Sequence, residues 1–204
     1  MKSFMHHEYV SINSKSAKYR IILLHGWGAD ADDLLPVGEQ VTDGLQKDFD
    51  IISIRAPHLR TDSIGRQWYG LYPANWSEAE LEVNKLISTL KEIGNNDIPL
   101  SNSILLGFSQ GAAMSIAAGS RLNLGLIVSC SGYPHPKWDK KINSPILLSH
   151  GEKDEVVPVV ASRQIHEDLK KYSNYSCKLH EFNGFHEIDI NFIDIIKSEI
   201  NIIF

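Results

Sequence analysis

The chain has 204 residues, of which 43 % are hydrophobic and 22 % charged, an ordinary composition for a protein that buries its own core. This length predicts a single domain over residues 1–204. The net charge of −5 has the wrong sign for a surface that binds polyanions, so we expect no nucleic-acid partner.

We expect neither a secretory signal nor a membrane-spanning segment in this sequence. The first residues have no apolar segment of the kind a secretory signal needs, and no run approaches the roughly 18–20 apolar residues of a membrane span. Cys130 and Cys177 are too few for a disulfide framework and are predicted to be buried thiols. We therefore expect a cytoplasmic protein without integral membrane association.

Taken in chain order, short apolar runs alternate with amphipathic stretches. Two runs alternate apolar with polar residues, which predicts edge strands, at 9–12 and 177–182. The other runs are apolar on both faces and rich in leucine and β-branched residues, which is typical of central strands of a parallel sheet. They lie at 19–24, 51–54, 103–106, 124–128 and 145–148.

Helical patterns occupy the intervals between these strands. Residues 77–80 read as a capping box that begins a helix, and residues 110–121 and 159–171 are further helices. A last helix is expected within 187–204, although its first residues alternate as in a strand. The alternation of strands and helices predicts an α/β fold with a mostly parallel central sheet and helices on both faces.

A Gly-x-Ser-x-Gly motif spans residues 107–111. It directly follows the strand at 103–106 and opens an alanine-rich helical run, and this strand–turn–helix setting is that of a nucleophile elbow. Ser109 is therefore the predicted nucleophile.

A serine hydroxyl needs a histidine base, and the base needs an acid that orients it. The order Ser, acid, His of α/β-hydrolases restricts the base to the five histidines after Ser109, which are His135, His150, His166, His180 and His186. His186 lies in the loop after the last predicted strand, whereas the others lie in strands, in a helix or between prolines. Asp154, in the loop after the strand at 145–148, is the predicted acid, ahead of its neighbours Glu152 and Glu155.

An acyl-transfer site also needs donors for the oxyanion. The backbone N–H of Gln110, directly after the nucleophile, is one predicted donor. The other is the N–H of Trp27, in the glycine-containing loop after the first central strand, while the neighbouring His25 is expected to be a hydrogen-bonded structural residue.

These motifs resemble those of the phospholipase/carboxylesterase family of α/β-hydrolases, which includes bacterial carboxylesterases and acyl-protein thioesterases. The resemblance covers nearly the whole chain, through the segments 24–30, 55–57, 107–112, 131–133, 150–158 and 184–188. It implies the α/β-hydrolase fold, catalysis by Ser109, Asp154 and His186, an oxyanion hole at Trp27 and Gln110, and no cofactor or metal. The chain departs from the family pattern in having Gly70, where an acidic residue is common after the Arg-x-Trp motif, Trp27 for leucine and Ala31 for glycine. These departures concern substrate preference.

The aromatic-rich segment 65–76 has two interpretations. It is a lid or a wall of the acyl pocket, with Trp68, Tyr69, Leu71 and Tyr72 binding substrate, or its aromatic side chains only pack the loop onto the sheet.

The predicted function is a serine carboxylesterase that forms an acyl-enzyme on Ser109. The alternatives are an acyl-protein thioesterase or lysophospholipase acting on long acyl chains and, less favoured, a silent binding protein. The expected partners are a small ester or thioester, an acylated protein or a lysophospholipid.

Overall fold

A central sheet of eight strands organises the computed structural model, which describes residues 2–61, 64–95 and 97–204. From one edge to the other its strands are β1 (Lys2–Ser3), β2 (Glu8–Ile12), β4 (Phe49–Ile54), β3 (Tyr19–Leu24), β7 (Ser103–Phe108), β8 (Leu126–Cys130), β9 (Ile146–Gly151) and β10 (Cys177–Phe182). The six strands from β4 to β10 pair in parallel, and β1 and β2 pair antiparallel at one edge. Two short strands, β5 (His58–Leu59) and β6 (Arg66–Gln67), form a separate ribbon.

Five α-helices cover the two faces of this sheet in the described part of the chain. They are α1 (Leu35–Thr42), α2 (Trp76–Gly94), α3 (Gln110–Gly119), α4 (Val160–Tyr172) and α5 (Ile190–Ile203). Successive residues of β3 point to opposite faces, so that Ile22 and Leu24 pack in the cluster that contains α2, α3 and α4. Ile21 and Leu23 pack in the cluster that contains α1 and α5. The predicted α/β fold with helices on both faces is confirmed.

The strands predicted from apolar runs are present, with small shifts at their ends. The strand predicted at 177–182 is β10, which forms one edge of the sheet. The strand predicted at 9–12 is β2, but it is the second strand from its edge because β1 pairs outside it. Short α1 has a weak apolar pattern and was not predicted.

Helix α2 begins earlier than its sequence pattern indicates, and the predicted capping box at Ser77 is wrong. Asn75 caps the helix, and its side-chain oxygen accepts a hydrogen bond from the N–H of Glu78 at 3.1 Å. The carboxylate of Glu78 accepts instead from the N–H of Gly70 at 2.6 Å. Asparagine caps a helix as well as serine does, so Asn75, two residues before Ser77, takes the capping position.

The last helix and the cysteines resolve two further expectations. Asp189 caps α5, so residues 187–189 belong to the preceding loop and the strand-like alternation there is not a strand.

Cys130 is buried and Cys177 is half-buried. Both thiols are free, and burial raises the pKa of each to about 12. Among the described residues, no helix has the length and apolar character needed to cross a membrane.

Candidate active site

Ser109 lies in the tight turn between β7 and α3, and its backbone has a φ of 54°. A positive φ is strained for a residue with a side chain, and such strain is typical of functional turns. The two flanking glycines allow this turn. A Cβ on Gly107 would lie 2.2 Å from the carbonyl oxygen of Gly111, and one on Gly111 would lie 2.0 Å from that of Leu24. The motif glycines are thus required by close backbone packing on both sides of the serine.

The imidazole of His186 bridges the serine and the aspartate that the sequence singled out. Its Nε2 lies 2.9 Å from Oγ of Ser109, and its Nδ1 lies 2.7 Å from Oδ2 of Asp154. A carboxylate only accepts, so Nδ1 carries the proton and Nε2 accepts the hydrogen bond from the serine hydroxyl. The parallel sheet brings these groups together because the three residues follow the carboxyl ends of β7, β9 and β10.

The Asp154 side chain is fully shielded from solvent and heavily hydrogen-bonded. Its Oδ1 accepts from the backbone N–H groups of Val156 at 2.9 Å and Val157 at 2.8 Å. Burial by itself would raise the pKa of Asp154, but the hydrogen bonds from His186 and from these two N–H groups outweigh it, and the pKa is lowered. The carboxyl group is therefore ionised where it faces His186.

The predicted oxyanion donors lie beside Ser109, one in the loop after β3 and the other at the first residue of α3. A Cβ on Gly26 would lie 3.4 Å from Cβ of Ser109, so the loop that contains Trp27 runs directly alongside the nucleophile. Gln110 is the first residue of α3, where N–H groups have no partner inside the helix. No hydrogen bond joins the N–H of Trp27 or of Gln110 to an acceptor in the described ranges.

A cavity of about 400 Å³ opens at Ser109 and His186. Its other lining residues are mostly apolar and come from the loops above the sheet, namely Gly26, Trp27, Leu71, Tyr72, Phe108, Tyr133, Val156, Val157, Pro158 and Ala161. The volume falls in the range of small-molecule sites. Tyr72 and Val156 form the outer part of this wall, with 77 % and 58 % of their surface exposed.

The segment 65–76 divides between the cavity wall and the core. Leu71 and Tyr72 line the cavity, and their role in substrate binding stays a prediction. Trp68 and Tyr69 do not line it, which corrects the expectation that all four residues contact substrate. Both side chains are fully buried and belong to the hydrophobic core. The indole N–H of Trp68 donates a hydrogen bond there to the carbonyl oxygen of His25 at 2.9 Å.

The side chain of Gln110 anchors this segment to the nucleophile helix, a role that its position in the motif did not indicate. Its Oε1 accepts from the N–H of Trp68 at 3.0 Å, and its Nε2 donates to the carbonyl oxygen of Tyr69 at 2.8 Å. Gln110 is fully buried, so these bonds replace the ones it would make with water. The cavity wall that follows at Leu71 is thereby fixed relative to Ser109.

A buried polar chain behind the cavity was also missed by sequence reasoning. The hydroxyl of Tyr69 lies 2.7 Å from that of Tyr133 and 2.9 Å from Nε2 of His135. Burial raises the pKa of Tyr133 to about 12 and lowers that of His135 to about 4, so both are neutral at pH 7. His135 also lines a separate pocket of about 270 Å³ beside Trp76. These hydrogen bonds hold the side chain of Tyr133, which lines the cavity, in place.

Three other histidines, namely His25 and the candidate bases His166 and His180, lie outside the Ser109–His186 contact. His25 is buried, with its ring bonded to the carbonyl oxygen of Gly26 and to the N–H of Ala56, as expected of a structural residue. His166 lies in α4, and His180 lies in β10, 2.8 Å from Asp189. Within the described ranges, no group of three or more His, Cys, Asp or Glu side chains could hold a metal ion.

Comparison with known protein families agrees with this geometry. A family model described as phospholipase/carboxylesterase matches residues 5–204. The chain belongs to this family. It is therefore a serine hydrolase of ester substrates, and the resemblance inferred from its motifs is confirmed.

Individual relatives are similar along most of their length. Acyl-protein thioesterase 1 of Debaryomyces hansenii is 28 % identical over 200 residues, covering 86 % of this chain and 86 % of that protein. Acyl-protein thioesterase 1 of Saccharomyces cerevisiae is 25 % identical over 202 residues, covering 84 % and 87 %.

Two solved structures are also similar to this chain over nearly its whole length. The crystal structure of esterase PE8 has a TM-score of 0.88 at 28 % identity and covers 98 % of this chain and 100 % of its own. The Bacillus cereus carboxylesterase has a TM-score of 0.84 at 18 % identity, covering 98 % and 96 %, which shows a shared fold.

Proposed function

We propose that the chain hydrolyses carboxylic esters through an acyl-enzyme on Ser109, with His186 as general base and Asp154 as the residue that orients it. The observation that carries this proposal is the position of His186, within 2.9 Å of the serine hydroxyl and 2.7 Å of the carboxylate. A base so placed removes the serine proton as the oxygen attacks, and the ionised acid stabilises the imidazolium that forms.

The reaction has two steps, acylation of Ser109 and hydrolysis of the acyl-enzyme. Ser109 Oγ bonds to the carbonyl carbon while its proton moves to Nε2 of His186, and the N–H groups of Trp27 and Gln110 hold the oxyanion. The bond to the leaving alcohol then breaks, and the alcohol takes the proton from Nε2. Water repeats the attack on the acyl-enzyme, gives its proton to Nε2, and releases the carboxylic acid as the proton returns to Ser109.

The cavity supports an acyl group as the part of the substrate that is bound. Leu71, Val156, Val157 and Pro158 offer apolar surface next to Ser109, and an acyl chain against such surface gains about 0.8 kcal/mol for each buried CH₂ group. The outer residue Tyr72 is well exposed, so longer chains leave the cavity across its ring. We propose substrate-binding roles for Leu71 and Tyr72.

The second candidate is the hydrolysis of long-chain thioesters or lysophospholipids. It is favoured by the similarity to two fungal proteins named acyl-protein thioesterase 1, and it uses the same three side chains. A thioester differs from an ester in its leaving group, which is a thiol and not an alcohol. In the described part of the chain, the cavity wall has no Asp, Glu, Lys or Arg side chain that would favour one leaving group over the other. The acyl donor would then be an acylated protein or a lysophospholipid.

The test is kcat/KM on p-nitrophenyl esters of two to sixteen carbons, with matched thioesters and with Ser109→Ala as the blank. We expect hydrolysis that requires Ser109. A maximum at short or medium chains supports the carboxylesterase, and a rise towards long chains with preference for thioesters supports the second candidate. Equal rates in wild type and blank would contradict both and would leave a silent binding protein.

A further inference from the structure

A single turn carries the two side chains that the aromatic-rich segment contributes to the cavity. These are Leu71, which packs against the core, and Tyr72, which is mostly exposed at the outer part of the wall. The backbone N–H of Asn75 donates to the carbonyl oxygen of Gly70 at 2.8 Å and closes the turn around them. The position of both cavity side chains therefore depends on what holds residues 70 and 75.

The first turn of α2 holds both ends of this cavity turn. The side-chain oxygen of Asn75 accepts from the N–H of Glu78 at 3.1 Å, and Oε2 of Glu78 accepts from the N–H of Gly70 at 2.6 Å. With the bond from Asn75 to Gly70, the three residues form a closed ring of hydrogen bonds. The bond to Gly70 is the shortest of the three, and a carboxylate is a stronger acceptor than a neutral oxygen.

Glu78 continues the anchoring that Gln110 begins. The side chain of Gln110 holds the N–H of Trp68 and the carbonyl oxygen of Tyr69, and Glu78 holds the N–H of the next residue, Gly70. Helix α2 is 19 residues long and packs one face in the core, so it is a rigid support for this bond. Glu78 is thus the last fixed point before the chain turns to form the cavity wall.

We propose that Glu78 is a positioning residue that sets the acyl-chain preference of the site, because its carboxylate fixes the start of the turn that presents Leu71 and Tyr72. This inference rests on the proposed function. The Glu78 carboxylate bonds to the backbone of the wall and does not line the cavity, so it acts on the substrate only through the two wall side chains.

The glycine at position 70 matches this arrangement. A Cβ on Gly70 would lie 3.5 Å from Oε2 of Glu78 and 3.8 Å from Cβ of Asn75, which are ordinary contact distances, so a side chain fits there. An aspartate at this position would, however, begin its side chain beside the Glu78 carboxylate, and the two like charges would repel each other. A neutral residue at position 70 is therefore needed for the hydrogen bond from its N–H to Glu78.

The first test compares Glu78→Ala with Glu78→Gln, whose amide oxygen is able to accept from Gly70. The matched control is Glu80→Ala, since Glu80 is a similarly exposed carboxylate of α2 that pairs with Arg121. The readout is the ratio of kcat/KM for p-nitrophenyl octanoate to kcat/KM for the acetate, because a general loss of stability lowers both values together and leaves their ratio unchanged.

For Glu78→Ala we expect this ratio to fall about four- to fifteenfold, the loss of contact with one or two CH₂ groups of the longer chain. Hydrolysis of the acetate should stay at the wild-type level, because Ser109 and His186 are not displaced. Glu78→Gln and Glu80→Ala should keep the ratio within about twofold of wild type. A folded Glu78→Ala variant with the wild-type ratio overturns the proposal, as does an equal fall in Glu78→Gln or in Glu80→Ala.

A second set of variants leaves Glu78 in place and decides the question if Glu78→Ala does not fold. Gly70→Asp should lower the ratio at least fourfold by repulsion, whereas Gly70→Asn, of the same size without the charge, should keep it within about twofold. Adding Glu78→Gln to Gly70→Asp should restore the ratio. An unchanged ratio in Gly70→Asp, an equal fall in Gly70→Asn, or no restoration overturns the proposal. Failure of the proposed function would instead appear as wild-type protein without hydrolysis of either ester that depends on Ser109.

Discussion

The substitution Asp154→Asn tests how the acid controls the proton on His186. Oδ1 of Asp154 accepts two backbone N–H groups, from Val156 and Val157, so the amide oxygen of an asparagine would remain at this position. Its NH₂ group is then turned towards Nδ1 of His186. A donor facing Nδ1 requires the imidazole to carry its proton on Nε2, where it faces Ser109 and is unable to accept the serine proton.

We expect this wrong tautomer to lower kcat by about 10⁴-fold, as in serine proteases with the corresponding change, which corresponds to about 5 kcal/mol of barrier. Asp154→Ala is the matched control, because it removes the charge but leaves Nδ1 free to donate to water. The variant with alanine should therefore be the more active of the two, although asparagine is closer in shape.

The assay is steady-state hydrolysis of p-nitrophenyl butyrate at pH 8, with thermal unfolding as the check that each variant is folded. If Asp154→Asn is folded and retains activity within tenfold of wild type, the assigned tautomer is wrong. If asparagine is clearly more active than alanine, the negative charge matters and the direction of the hydrogen bond does not.

Three further substitutions test other parts of the site. Gly111→Ala puts a Cβ 2.0 Å from the Leu24 carbonyl oxygen, so unfolding assays should show a loss of about 1–3 kcal/mol and kcat should fall with it; unchanged stability would refute the close packing. Trp68→Phe removes the indole donor to His25 and should cost about 1 kcal/mol of stability with kcat/KM unchanged; a selective rise in KM would return Trp68 to the cavity wall. Tyr72→Ala should raise KM for octanoyl esters about fivefold with unchanged melting temperature, and an unaltered KM would remove Tyr72 from the substrate path.

The fold and the arrangement of the site were predictable because their signals are local. Runs that are apolar on both faces predict buried parallel strands, and the tight turn at Ser109 needs its glycines at fixed spacing. Chain order and the rule that parallel strands share one carboxyl edge then placed Asp154 and His186 near the serine. The structure brings these side chains within hydrogen-bond distance of one another.

The division of the segment 65–76 was not predictable from the sequence. The segment has no regular period, and the burial of Trp68 and Tyr69 depends on bonds to Gln110, His25 and Tyr133, which lie about forty or more residues away along the chain.

The most direct test of the account is to trap the nucleophile. Wild-type protein is incubated with an alkyl fluorophosphonate, and the modified residue is located by peptide mass spectrometry. The account predicts one phosphonyl group per chain, bound to Ser109, with complete loss of esterase activity and no labelling of Ser109→Ala or of heat-unfolded protein. A fully active enzyme after prolonged incubation, or a label on another residue that abolishes activity while Ser109 stays unmodified, would contradict it.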